Sequence, residues 1–191
     1  MKLDEIQKRL LREIADLHAV PEGAYNIRSN SQMAGRKSTA NIEITSKTDV
    51  SGMDIRIAPF TKNESVHIPV VLTQTGLKEV VYNDFFVGEG ADVLIVAGCG
   101  IDNCGNQDAE HDGIHRFYVG KNAHVKYVEK HYGSGEGKGK RILNIADEII
   151  MIKDGRVEKQ GTRDEILPQL MGTSSAVSEC HMISGKGGAD A

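Results

Sequence analysis

Phe85-Phe86-Val87-Gly88-Glu89-Gly90-Ala91-Asp92-Val93-Leu94-Ile95-Val96 aligns without a gap on Phe117-Tyr118-Val119-Gly120-Lys121-Asn122-Ala123-His124-Val125-Lys126-Tyr127-Val128, at an offset of 32 residues, and six of the twelve positions are identical. The shared pattern is Phe-x-Val-Gly-x-x-Ala-x-Val-x-x-Val: a strand, a tight glycine turn, a small inward alanine and a second strand. One such unit cannot cover its own apolar face, whereas stacked copies can. Outward from the repeat, the same two-residue alternation recurs. Ile42 and Ile44, Ile55 and Ile57, Val66 and Ile68, and Val80 and Tyr82 are each interleaved with polar residues and bounded by Gly, Asn, Asp or Pro. These read as short strands. No helical pattern lies between them, which argues against a parallel sheet built from strand–helix–strand units. A β-solenoid accounts for the pattern better than a sandwich, and a mainly β fold, a right-handed parallel β-helix, is expected.

The flanks differ from this middle. Leu3, Ile6, Leu10, Ile14 and Leu17 fall on one stripe of a helix that Pro21 and Gly23 stop. That helix packs on its own domain or docks a partner. Gly23 to Lys37 is polar and turn-rich and is expected to be loop. Gly133 to Lys140 reads as a flexible glycine-rich turn. Beyond it, Glu148–Ile152 and Val157–Gln160 form a hairpin about Lys153-Asp154-Gly155-Arg156, with Asp-Gly the turn signal. Thr162-Arg163-Asp164-Glu165 reads as a capping box ahead of a short helix carrying Ile166, Leu167 and Leu170, limited by Pro168. Residues 172–191 are small and polar and are expected to be a disordered tail. The expected organisation is an N-terminal helix over 1–22, a β-helix over 38–144, a C-terminal segment over 145–171 and the tail.

Composition narrows the function classes. The 191 residues are 39% hydrophobic and 26% charged, with 21 Gly, 4 Pro, 4 Phe and 5 Tyr, as suits many turns and short strands. The net charge of −4 gives no basic field for a nucleic acid. No apolar run approaches the length of a membrane span, and Met1–Leu17 has no apolar block of a secretory signal. Three cysteines, an odd number, point to reduced thiols and a cytoplasmic location, not to a disulfide framework.

The chemistry-bearing residues are few. Gly133–Lys140 does not have the spacing of a phosphate loop, because neither Lys138 nor Lys140 follows a correctly placed glycine and no Ser/Thr follows them. No carboxylate pair is placed for acid–base work and no Ser–His–Asp set can be assembled, so no catalytic residue is expected. The densest cluster is Cys99-Gly100-Ile101-Asp102-Asn103-Cys104 followed by Glu110-His111-Asp112-Gly113-Ile114-His115. Its two thiols and two imidazoles, Cys99, Cys104, His111 and His115, could supply soft and borderline ligands for iron or zinc. The spacing matches no standard finger. The plainer alternative is two half-buried cysteines at strand turns and surface histidines beside acidic groups. His124 falls on the polar side of its strand, where a solvated imidazole is expected, and Cys180-His181 falls in the tail.

Residues 1 to about 144 resemble the SufB/SufD family of iron–sulfur cluster assembly proteins, especially the short form of minimal Suf-type systems. The motifs are Val80-Val81-Tyr82-Asn83-Asp84-Phe85-Phe86-Val87-Gly88, Val96-Ala97-Gly98-Cys99-Gly100-Ile101, Glu110-His111-Asp112-Gly113-Ile114-His115-Arg116-Phe117-Tyr118-Val119-Gly120 and Glu129-Lys130-His131-Tyr132-Gly133. The resemblance implies a right-handed parallel β-helix and a cytoplasmic scaffold on which clusters are built. It implies a transient iron–sulfur cluster as cargo. The implied partners are a SufC-like ABC ATPase and a SufB/SufD-like protein or a second copy of the chain, with neither nucleic acid nor membrane. After Arg141-Ile142-Leu143-Asn144 the family pattern stops. Ile145 to Leu167 is similar instead to the C-terminal end of an ABC ATPase: Ala146-Asp147, an apolar strand, Gly155-Arg156, a second strand and Gly161-Thr162-x-x-Glu165. The phosphate loop, signature motif and acidic switch residues of such an ATPase have no counterpart here, so no ATP site is expected. The expectation is a truncated scaffold joined to an ATPase-like tail, without the half of the scaffold family that holds its proposed assembly cysteine and its ATPase-docking helices.

Overall fold

The computed structural model describes residues 3–143, 148–153, 156–162 and 165. The chain forms two compact units, Met1–Asn144 and Ile145–Ala191. In the second unit, β11 (Glu148–Lys153) and β12 (Arg156–Thr162) pair antiparallel from Glu148↔Thr162 to Lys153↔Arg156, as the alternation predicts. The Asp154-Gly155 turn, Arg163 and Asp164 of the capping box, the rest of the short helix after Glu165 and the tail lie outside the described residues.

The first unit opens with α1 (Glu5–Ala15). Asp4 caps it: its carboxylate accepts from the Gln7 amide at 2.8 Å, and the Gln7 side chain accepts from the Asp4 amide at 3.0 Å. Asp16 ends the helix in the left-handed region at φ 52°, five residues before Pro21. The apolar face is rotated from the expected stripe. Leu10, Leu11 and Ile14 are buried against Ile27 and Val71, while Ile6 is 43% exposed. The helix packs on its own unit.

The strands are β1 (Ala24–Ser29), β2 (Gln32–Lys37), β3 (Ile42–Ser46), β4 (Gly52–Ile57), β5 (Lys62–Leu72), β6 (Lys78–Val87), β7 (Asp92–Asp102), β8 (Ala109–Val119), β9 (His124–Ser134) and β10 (Arg141–Leu143). They form two mixed sheets, ordered β2-β1-β5-β7-β9 and β10-β8-β6-β4-β3. The segment 23–37, expected as loop, is the β1–β2 antiparallel hairpin. Its two turn residues, Asn30 and Ser31, both have positive φ, as a type I′ turn requires.

From β4 onward consecutive strands alternate between the sheets, and from β6 onward each pairs in parallel with the strand two before it. β6 and β8 pair residue for residue from Lys78↔Glu110 to Val87↔Val119, and β7 and β9 from Asp92↔His124 to Asp102↔Ser134. Both ladders keep the 32-residue offset of the sequence repeat. Equivalent positions of the two copies are therefore neighbours: Phe85 stacks on Phe117 and Phe86 on Tyr118, with ring centroids 4.5 Å and 4.9 Å apart. Between the sheets lies one apolar layer that includes Ile42, Ile55, Val66, Phe85, Ala91, Val93 and Ile95, with Ala123, Val125 and Tyr127 against it. The inward alanines of the repeat, Ala91 and Ala123, both sit in this layer.

The glycine-rich segment after β9 is held rather than loose. The Arg141 guanidinium donates to the carbonyls of Ser134 and Asn103, at 2.8 Å each, and to that of Gly135. Gly135 has φ +97°, and a Cβ there would lie 2.5 Å from the Asn103 carbonyl oxygen, so glycine is required. Among the described residues no helix is long and apolar enough to cross a membrane.

Candidate functional site

Strand alternation decides which side chains enter the space between the sheets. On β6 these are Glu79, Val81, Asn83 and Phe85; on β8, His111, His115 and Phe117; on β7, Ile95, Ala97, Cys99 and Ile101; on β9, Tyr127, Glu129 and His131. At one end of these strands the inward residues are apolar. Toward the other end Glu79, Asn83, Cys99, His111, His115 and Glu129 join Val81 and Ile101, with His131 exposed on the edge strand. The fold thus gathers polar residues from four strands into one interior layer.

Glu79 and His111 are strand partners, and both are buried. His111 Nδ1 lies 2.9 Å from Glu79 Oε1, and Arg28 reaches Glu79 Oε2 at 3.1 Å. Burial raises the Glu79 pKa. Hydrogen bonds from His111 and Ser31, with the charges of His111 and Arg28, outweigh it and hold the carboxyl down at about 2. Glu79 is therefore a buried anion with a partner on each oxygen.

His115 is the strand partner of Asn83, whose Nδ2 lies 3.4 Å from His115 Nδ1. Its Nε2 faces Glu129 Oε1 across the interior at 3.8 Å, and His131 Nε2 approaches the same oxygen at 3.5 Å. Tyr127 donates to the other oxygen, Glu129 Oε2, at 2.9 Å. Burial lowers the pKa of both imidazoles. Glu129 opposes this by favouring the charged forms, and His111 adds to the lowering. Both rings are neutral at pH 7, the state in which imidazole ligates metals.

The two cysteines are separated by environment. Cys99 is 1% exposed, packed with Val70, Leu72, Ile101 and Ala109, and is the strand partner of His131. Burial pushes its thiol well above the ordinary value, helped by the charges of Glu79, Glu129 and Asp112. Cys104 is exposed on the turn after β7, with Sγ 3.3 Å from Asp102 Oδ1. Of the four expected ligands, Cys99, His111 and His115 face the interior layer and Cys104 does not. Among the described residues no three His, Cys, Asp or Glu side chains already converge as a metal cage. The expected solvated position of His124 is what the structure has: it is exposed on the outer face of β9.

Glu79, Glu129 and His131 were not expected as site residues, although the sequence places His131, with His124, on a repeat strand. The signal for the last two was present: Val125 and Tyr127 set the inward phase of β9, and two-residue steps from them reach Glu129 and His131. Comparison of the chain with protein-family models, with curated proteins and with solved structures finds no match in any of the three.

Proposed function

We propose that this chain is a non-catalytic component of iron–sulfur cluster assembly, a SufB/SufD-like scaffold or partner protein working with a SufC-type ABC ATPase. The observation that carries this reading is the shared interior of the motif-bearing strands. Val80–Gly88 and Glu110–Gly120 lie on paired strands of one sheet, and Val96–Ile101 and Glu129–Gly133 on paired strands of the other, and Cys99, His111, His115, Glu129 and His131 occupy inward positions of these strands. The alternation of strands between two sheets, at offsets of 29–32 residues between paired strands, supports a right-handed parallel β-helix as the architecture, in line with the handedness of parallel crossovers. Iron and sulfide are cargo in this reading, and of Cys99 and Cys104 it is Cys99 that faces the interior layer. Anaerobic reconstitution with iron and sulfide tests it. Sulfide-to-iron charge-transfer absorption is expected, and it is expected to weaken in Cys99→Ser.

A second reading is a β-solenoid interaction module that carries no cluster. The favouring observation is the outer face and end of β8 and β9, where Ile114, Tyr118, Val119 and Val128 are exposed. Co-purification with a SufC-like ATPase without bound iron or sulfide would support this reading over the first. A third, an ABC-ATPase-related protein without its own nucleotide site, draws on the likeness of residues 145–167. It predicts no saturable ATP binding.

A further inference from the structure

We propose that His115, Glu129 and His131 form a mononuclear site for a borderline divalent transition-metal ion, distinct from any thiolate-held cluster. The two imidazoles come from facing strands, β8 and β9, and both aim Nε2 at a single carboxylate oxygen, at 3.8 and 3.5 Å. In a tetrahedral site with metal–ligand bonds of about 2.0–2.1 Å, neighbouring ligand atoms lie about 3.3–3.4 Å apart. The two nitrogen–oxygen separations exceed that edge by a few tenths of an ångström, so a small inward movement of side chains brings each imidazole to ligand spacing from Glu129 Oε1. Two imidazoles and one carboxylate with a remaining open position is a donor set that Zn²⁺ and Fe²⁺ both use.

The surroundings hold the donors as such a site needs. Tyr127 fixes Glu129 through Oε2 and leaves Oε1 directed at the imidazoles. Asn83 is 3% exposed, and its Oδ1 has no hydrogen-bond partner. In its present orientation the amide donates toward His115 Nδ1, which leaves the proton on Nε2, facing Glu129. Turning the amide over lets Oδ1 accept from Nδ1–H and frees the Nε2 lone pair for a metal, the tautomer control that outer-shell partners exert. His111, four residues from His115 on β8 and so roughly 13 Å along the strand, has its Nδ1 held by Glu79 and stays outside the site.

The inference is independent of the cluster reading, because it involves neither sulfide nor thiolate. The probe is Co²⁺, added anaerobically to the full chain without an affinity tag and without sulfide. The expected result is the visible d–d absorption of a four- or five-coordinate ion, saturating at one equivalent, with no thiolate-to-cobalt charge-transfer band. Glu129→Gln and His115→Ala should weaken binding at least tenfold. His124→Ala, on the outer face of the same strand, and Cys99→Ser should leave it unchanged. His131→Gln separates loss of binding from loss of fold, since its side chain is 33% exposed. It should melt like the native chain without metal and gain none of the increase in Tm that metal gives the native chain. A spectrum that stays that of the hydrated ion, a thiolate charge-transfer band, or an unaltered metal-dependent Tm increase in His131→Gln would each overturn the assignment.

Discussion

Phe85 and Phe117 lie one above the other, ring centroids 4.5 Å apart and planes within 5°, on strands that pair in parallel at the spacing of the repeat. Phe85 is fully buried, whereas Phe117 is 36% exposed. Phe85→Ala removes a core ring and leaves a cavity, so it should destabilise the chain by about 3–5 kcal/mol. Phe117→Ala should cost roughly 1–2 kcal/mol, because much of that ring remains in water. Urea unfolding followed by circular dichroism measures both. Equal costs would mean that the two rings are not inner and outer members of one stack.

The helix α1 sits directly on the backbone of β7. A Cβ on Gly98 would lie 2.7 Å from the Lys130 carbonyl oxygen and 3.0 Å from Ile14 Cβ, and one on Gly100 would lie 3.1 Å from Leu10 Cβ. Gly98→Val therefore displaces backbone as well as side chains. It should destabilise by about 1–3 kcal/mol, the usual range for overpacking. A thermal melt unchanged by Gly98→Val would show that the helix does not seat there.

Glu79 links folding to pH. Its folded pKa, about 2, lies below the model-peptide value of 4.5. A depressed carboxylate pKa contributes stability that is present above pH 4.5 and is lost as pH falls from there toward 2. The full contribution is on the order of 3 kcal/mol. Glu79→Gln should thus be strongly destabilising at pH 7 and much less so at pH 3. The lowered pKa values of His115 and His131 act in the same direction at higher pH. Below about pH 6.5 the unfolded imidazoles take up protons that the folded ones refuse, so native stability falls as pH drops through that value. Chemical denaturation of the native chain and Glu79→Gln across pH 3–8 measures both effects. A Glu79→Gln cost that is the same at pH 3 and pH 7 would contradict the buried-anion assignment.

Thiol reactivity should follow the two environments. The thiolate is the reactive form, and it is suppressed at Cys99 by burial and by nearby carboxylates. In a Cys180→Ser background at pH 8, a disulfide-exchange reagent should modify one thiol, Cys104, rapidly. Cys99 should react only at the rate of unfolding. Rapid labelling of two thiols in the folded protein would remove Cys99 from the interior.

The stacking was legible in the sequence because the two copies share the residues that face inward and the glycine that turns the chain. The β1–β2 hairpin was not, since β2 is an exposed edge strand whose polar residues show no alternation. Its Asn30-Ser31 turn was a signal only once both positive φ values were seen. In α1 the burial of adjacent Leu10 and Leu11 rotates the face away from Ile6, a phase that helical spacing alone does not settle. The polar interior was half legible. Cys99, His111 and His115 stand out as residue types, but Glu129 and His131 look like a solvated face until the partner sheet is set opposite them.

Mössbauer spectroscopy of the tag-free chain, reconstituted anaerobically with ⁵⁷Fe and sulfide and then desalted, tests the iron–sulfur role most directly. The prediction is a quadrupole doublet of sulfide-coordinated iron that is retained on the native chain and diminished in Cys99→Ser. Iron that washes out entirely on desalting, or a doublet equally strong in Cys99→Ser and Cys104→Ser, would contradict it.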